Sequence, residues 1–203
     1  AYTAFMDEAR IEQLDVAPIA AELKQVRDIK TKDAFTALMG KSPTTAFASI
    51  ISLYVSTDAK NPTRYAVYAG TGGLSLPDRD YYLDAKFADK KAAYEAYVAK
   101  MLASIAWENP TESAKAVVAF ETKLAEASWT RVQRRDRDKT YNPKTWAELQ
   151  ALTPGYDWNR YLVGTELPKI NRVVVTTDTA FPKFAKVYAD TPLDTLKAWQ
   201  AFK

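Results

Sequence analysis

The amino-acid sequence predicts a mainly α fold with a small β-hairpin or sheet element. Three observations lead there. From Ala85 onward, apolar residues recur at helical spacing through two long segments. Between Phe47 and Ala69 the period shortens to two residues, as in strands. Between these regions lies Gly72-Gly73-Leu74-Ser75-Leu76-Pro77-Asp78-Arg79-Asp80-Tyr81-Tyr82-Leu83, whose glycine pair and Pro77 stop either element from running through. Its dense mix of Asp78, Arg79, Asp80, Tyr81 and Tyr82 is too specific for a generic linker.

Taken in order, Met6 to Leu14 reads as a helix with Met6, Ile11 and Leu14 on its apolar side. Pro18 suits the first turn of a second helix carrying Ile19, Leu23 and Val26. Thr31 is a natural N-cap for a third, with Phe35, Leu38 and Met39 apolar and Gly40 as its stop. Phe47 to Ser56 alternates Ile51, Leu53 and Val55 with Ser52, Tyr54 and Ser56, and Asp58 to Pro62 is a turn cluster. Arg64 to Ala69 reads as the second strand of a hairpin, with Tyr65 and Val67 on one face and Arg64, Ala66 and Tyr68 on the other. An isolated hairpin is marginal in water, so it must rest on helices or another strand.

Beyond the joint, a long helix is predicted from about Ala85 to Trp107. Asn109, Pro110 and Glu112 form a capping-box pattern for the next, which carries Val117, Phe120, Leu124 and Ala127 inward as far as about Trp129. So short a connection makes the two helices antiparallel. Arg131 to Lys139 is a mixed-charge run, and Tyr141-Asn142-Pro143 reads as a turn. Short helices follow over Thr145 to Leu152 and from Asp157, separated by Pro154-Gly155. Arg172 to Thr176 reads as a strand. Thr177 or Asp178 is placed to cap a helix over Phe181 to Tyr188, and Thr191-Pro192-Leu193-Asp194 starts the last one. Its apolar phase continues to Lys203 without a stop signal, so the sequence reads as an internal piece of a longer protein.

Composition narrows the chemistry. With 203 residues the chain can bury a sizeable core, and a net charge of +3 does not imply a nucleic-acid partner. No apolar run reaches the roughly 18 residues of a membrane span, and Ala1-Tyr2-Thr3-Ala4-Phe5 lacks the pattern of a signal peptide. The chain has no cysteine and no histidine. That removes disulfides, thiolate nucleophiles, the commonest general base and the usual zinc ligands.

The remaining constellations each carry two readings. Asp78 and Asp80 could form a carboxylate dyad held by Arg79, but groups at i and i+2 do not face each other on a helix, and an ion pair with a helix start is the simpler account. Arg131, Arg134, Arg135, Arg137 and Lys139 could bind an anion, yet Asp136 and Asp138 interrupt the run and no stacking aromatics are interleaved. A solvated loop with local salt bridges is the simpler reading, and docking on an acidic face of a further domain is a third. Trp107, Trp129, Trp146, Trp158 and Trp199 fall at helical core positions. Gly70-Thr71-Gly72-Gly73 lacks the lysine and spacing of a phosphate loop. Tyr81 and Tyr82 read as packing residues, since no base stands near them in sequence. The residues alone therefore predict a helical interaction domain, either a stand-alone protein-binding module or part of something larger.

The stretch Gly73 to Leu83 resembles the hallmark of the non-catalytic N-terminal region of neprilysin-type zinc metallopeptidases. The resemblance extends to Met6-Asp7-Glu8 with Ile11, Tyr54 to Pro62, Asp136 to Asn142 with Trp146 to Leu149, Pro154 to Trp158 with Tyr161-Leu162, Val173 to Val175, and Leu196 to Trp199. It covers essentially the whole chain in order. It implies that residues 1–203 are part of a helical cap lobe that encloses a peptide chamber and limits substrate size, in a zinc endopeptidase acting on peptides. The catalytic lobe of the same polypeptide would be the partner, with its HExxH zinc helix and later glutamate downstream. No catalytic or metal-ligand residue of the family carries over to this sequence, and zinc is expected in the full-length enzyme, not on this segment. Leu76, Pro77, Asp78, Arg79, Asp80, Tyr81 and Tyr82 are then a structural signature. Phe5 stands where animal members have a disulfide cysteine, which points to a bacterial member. Such members are periplasmic, membrane-anchored or secreted. A segment cut from its lobe should also expose apolar surface and self-associate.

Overall fold

The computed structural model describes residues 2–165, 167 and 170–203. The N-terminal third holds α1 (Tyr2–Phe5), α2 (Glu8–Leu14), α3 (Ala20–Asp28) and α4 (Lys32–Gly40), then the hairpin strands β1 (Ile51–Asp58) and β2 (Asn61–Thr71). After the joint come α5 (Asp80–Leu83), α6 (Ala88–Ser104), α7 (Pro110–Ala127) and α8 (Arg131–Arg135). The last third alternates β3 (Asn142–Thr145), α9 (Trp146–Leu152), α10 (Trp158–Thr165), β4 (Arg172–Val175), α11 (Phe181–Asp190) and α12 (Leu193–Phe202). The fold is mainly α with a small sheet, as predicted.

The sheet is larger than a hairpin. Its order is β1-β2-β4-β3, with β2 and β4 parallel and the other pairs antiparallel. Asn142-Pro143, read from sequence as a turn, instead opens β3, with Asn142 opposite Val175 and Thr145 opposite Arg172. Pro143 is tolerated because β3 is an edge strand. One sheet face sends Ile51, Leu53, Ala69, Val173 and Val175 into the main core. The other buries Ala66, Tyr68 and Val174 under Tyr141. Because β4 is covered on both faces, its three valines run consecutively and do not alternate with polar residues.

The long helices are set by apolar spacing. Tyr94, Val98 and Leu102 of α6 are buried, as are Val117, Phe120, Leu124 and Ala127 of α7. Tyr94, early in α6, meets Glu121, late in α7, so the two run antiparallel as expected. The connection differs in detail. Asn109 adopts a left-handed conformation (φ 47°) and its side chain caps nothing, so the predicted capping box does not form. True capping boxes occur at Thr130 with Gln133 and at Thr145 with Glu148. Thr31 caps α4 by accepting from Ala34 N at 3.1 Å, and neither Thr177 nor Asp178 caps α11.

Gly40 is not a stop beyond α4 but its last helical residue, and its role is contact. A Cβ there would lie 2.0 Å from the Tyr161 carbonyl oxygen, and one on Gly164 would lie 2.0 Å from that of Ala37. Helices α4 and α10 thus cross backbone to backbone, which only glycine permits.

The two ends behave differently. Helix α12 is well covered, with Leu196, Ala198 and Trp199 buried. Helix α2 begins at Glu8, capped by Asp7, and α1 and α2 bury no residue. Met6 and Ile11, expected to face a core, are about half exposed.

Candidate functional site

The joint between sheet and long helices brings together most of the charged and hydroxyl groups singled out above. Gly72 N donates to Ile50 O at 2.8 Å, closing the end of the sheet. Gly73 follows with φ +93°, wedged against Leu124 and Ile50 so closely that a Cβ would approach them to 3.0–3.1 Å. The chain then turns through Ser75, Leu76 and the exposed Pro77 into α5.

Asp78 is buried, and its carboxylate takes Arg134 at 2.5 Å and Arg131 at 3.2 Å from α8. Burial pushes the Asp78 carboxyl up, but the Asp80 N–H and the two arginines outweigh it and hold it below the usual carboxylate range. The basic run is therefore not simply a solvated loop. Two of its arginines lock α8 onto the joint, while Lys139 pairs with Asp136 and Lys60 reaches Asp138. Arg79 Nε donates to Ala125 O at 3.1 Å, near the end of α7, where a cation that donates to the last carbonyls is favourable. Asp80 is exposed at the start of α5, 3.8 Å from Arg79. Asp78 and Asp80 thus serve different partners and do not form a dyad. Tyr81 stacks on Phe87 with ring centroids 4.1 Å apart.

Tyr82 leads to a residue that sequence reading missed. Its hydroxyl accepts from Ser75 N and Leu76 N at 3.0 and 2.9 Å, and donates to Glu121 at 2.6 Å. Glu121 is fully buried in α7. It also accepts from Tyr94 O–H at 2.8 Å, Ser75 Oγ at 2.7 Å and Trp199 Nε1 at 3.0 Å, with Lys203 Nζ at 3.7 Å. Burial, then the Glu121 charge, push both phenols far above their ordinary range. Burial lowers the Lys203 ammonium, opposed by Glu121. The signal was present: Glu121 sits four residues after Val117 and three before Leu124, on the buried face of its helix.

A second acid, Asp58, is equally enclosed. It accepts from Tyr141 O–H at 2.6 Å, Arg64 Nε at 3.0 Å, Lys60 N at 3.0 Å and Arg172 at 3.2 Å. It ties the hairpin turn to β4 and to the segment before β3.

These acids are bonded to protein donors and none is poised as a base. The usual zinc ligands are missing, since the sequence has neither histidine nor cysteine, and among the described residues no three acids converge. No helix among them is long and apolar enough to cross a membrane. The joint is built to hold elements together.

The family model for the N-terminal part of Peptidase family M13 matches residues 1–203. The chain belongs to peptidase family M13. Within it, human endothelin-converting enzyme 1 is 31% identical over 177 residues, covering 79% of this chain and 22% of that protein. The bovine enzyme is 29% identical over 174 residues, covering 79% of this chain and 23% of the enzyme. The M13 segment thus spans about a quarter of these curated relatives. The structure of Mycobacterium tuberculosis zinc metalloprotease ZMP1 in its open state superposes with a TM-score of 0.90 at 32% identity, covering 98% of this chain and 32% of that one. PepO from Lactobacillus rhamnosis HN001 shares the fold, with a TM-score of 0.78 at 22% identity over 97% of this chain and 32% of its own. The neprilysin-type expectation for an M13 N-terminal region therefore holds.

Proposed function

We propose that residues 1–203 are a cap-lobe segment of a bacterial zinc metalloendopeptidase, and that the lobe encloses a substrate chamber and admits only peptides. The observation that carries this reading is the family match across the whole chain, combined with the lack of histidine and cysteine. A region of an M13 peptidase without metal chemistry serves the reaction by shape. Folded proteins are excluded by size, which is specificity by rejection.

On this reading the zinc residues and catalytic groups lie downstream in the same polypeptide. The segment from Leu76 to Tyr82 is the cap's structural signature. Its charged and phenolic groups orient α5 to α8 and contact no reacting atom. The absence of cysteine fits a bacterial member, placed in the periplasm, on a lipid anchor or outside the cell. Isolated from its lobe, the segment self-associates through exposed apolar surface.

The test compares the full-length parent with residues 1–203 alone. The parent should bind stoichiometric zinc and cleave a short fluorogenic peptide in a chelator-sensitive manner. It should leave the same peptide bond intact when that sequence is embedded in a folded domain. The segment alone should do neither. Chelator-sensitive cleavage by residues 1–203, or a parent without zinc-dependent cleavage, overturns the reading.

A further inference from the structure

Two buried acids anchor the basic part of the chain, and each holds two arginines. Asp58 takes Arg64 at 3.0 Å and Arg172 at 3.2 Å, and Asp78 takes Arg131 at 3.2 Å and Arg134 at 2.5 Å. One carboxylate neutralises one guanidinium, so each clamp keeps a surplus positive charge. The four arginine side chains are 38–64% exposed, so that surplus faces water. A short turn joins the clamps. Thr140 N closes it on Asp136 O at 3.1 Å, and Tyr141, next in the chain, donates its hydroxyl to Asp58. Lys60 reaches Asp138 in the same turn, and Lys139 pairs with Asp136. Arg135 and Arg137 are exposed and form no salt bridge among the described residues.

Eight lysines and arginines thus stand against four aspartates, a surplus of +4 in a chain whose net charge is only +3. Six of the eight are arginines, although lysines outnumber arginines in the whole chain. The planar guanidinium fork matches phosphate oxygens and sheds water more readily than an ammonium. An apolar group sits among them. Val132 is 79% exposed, more than any other large hydrophobic of the described residues. Arg131 and Arg134 turn to Asp78, while Val132 and Arg135, also three apart, share the outward side of α8. A soluble phosphate offers that valine nothing, whereas the boundary of a lipid layer removes it from water.

We propose that this basic face rests on an anionic phospholipid surface, with the exposed guanidinium groups on lipid phosphates and Val132 in the headgroup layer. Such binding is separate from the proposed peptidase role and stands or falls without it.

Cosedimentation of the zinc-loaded, full-length parent, produced without a lipid anchor, tests this. Phosphatidylcholine vesicles containing about 30% phosphatidylglycerol should bind it roughly tenfold more tightly than phosphatidylcholine alone, and salt raised from about 0.05 M to about 0.5 M should release it. Arg135→Glu/Arg137→Glu, which leaves both clamps intact, should weaken binding by about tenfold or more. Val132→Ser should weaken it by about threefold while leaving capture by immobilised inorganic polyphosphate unchanged. The charge-matched control Lys90→Glu/Lys100→Glu, on α6, should change neither. Equal loss in the control overturns the assignment to this face. An unaffected Val132→Ser, or capture by polyphosphate without vesicle binding, assigns the face to a soluble polyanion and overturns the lipid proposal. No preference for charged vesicles overturns it outright, and that comparison in the unmodified parent still decides should the arginine variant fail to fold. Zinc-dependent cleavage, measured separately, bears on the proposed function alone.

Discussion

The phenol of Tyr82 donates a 2.6 Å hydrogen bond to the buried carboxylate of Glu121, binding the sharp joint after the sheet to the centre of a long helix 39 residues later. The same carboxylate holds Tyr94 of α6 and Trp199 of α12. Four segments distant in sequence are thus registered on one charged group.

Removing that group should be far worse than removing one donor. Glu121→Ala leaves two phenols and a hydroxyl without their acceptor and the Trp199 indole with only the Gly73 carbonyl at 3.3 Å, and should cost about 3–5 kcal/mol, as breaking a buried charged network does. Tyr82→Phe should cost about 1–3 kcal/mol, since it strands the Ser75 and Leu76 amides, while Tyr94 still bonds the carboxylate oxygen that Tyr82 leaves. Urea denaturation of both single variants and the double variant checks this. The double should fall short of the summed losses, because the residues share one network. Strict additivity would show that the network is not coupled.

The raised phenols predict alkaline unfolding. A group whose folded pKa is raised contributes stability that is fully present below the unfolded value, ~10 for tyrosine, and lost as pH rises toward the folded one. Ultraviolet titration should therefore find fewer than the 12 tyrosines ionising near pH ~10 while the helices persist. The rest should ionise together with loss of the helical circular dichroism signal. Reversible ionisation of all of them around pH ~10 with helicity intact would contradict the burial of Tyr82 and Tyr94.

At the acid end, Asp58 decides the sign. The Tyr141 phenol, foremost, holds its carboxyl far below the usual range; burial opposes this and is outweighed with help from the Lys60 N–H and Arg64. A depressed folded pKa contributes stability above the unfolded value of ~3.9 that drains away as pH falls through the folded one. The unmodified chain should accordingly exceed Asp58→Asn in urea midpoint at neutral pH, and the gap should narrow progressively below pH ~4. A gap of constant size across that range would mean that Asp58 is not ionised in the fold.

Gly40→Ala should damage the crossing of α4 and α10 severely, because its methyl would sit 2.0 Å from a backbone oxygen that cannot move aside alone. Overpacking of this kind costs about 1–3 kcal/mol, and occasionally more. Gly72→Ala is the matched control, since its nearest neighbour would be the Ser49 carbonyl oxygen at 3.4 Å. Equal thermal midpoints for the two variants would refute the close crossing.

Much of this fold was legible in period alone. Val117, Phe120 and Leu124 announce a helix face, and Ile51 and Leu53 a strand, because burial on one side imposes a repeat. Thr31 was readable as a cap because its side chain acts on its own helix. What stayed hidden was chosen by distant partners. Asn142-Pro143 carries turn chemistry, and only pairing with Val174 and Val175 makes it a strand. Asn109 has the residue type for a cap but a left-handed backbone that points its amide elsewhere. At the joint, the sequence marked Asp78 as charged and structural, but not that Arg131 and Arg134 would be its partners more than 50 residues on. Glu121 was visible as an acid on an apolar face, an inconsistency that in a folded chain calls for donors nearby.

The parallel contact of β2 with β4 sets a timetable for folding. Thr71 at the end of β2 hydrogen-bonds Thr177 just after β4, 106 residues later. At synthesis rates of about 5–20 residues per second, β2 waits roughly 5–20 s for its neighbour. During that interval the hairpin is marginal by itself and its second strand presents an unpaired edge. Helices α6 and α7 need no such delay, since their contacts are local. Assembly of these residues therefore proceeds from helices to sheet, and the open edge of β2 is what the chain exposes in the meantime.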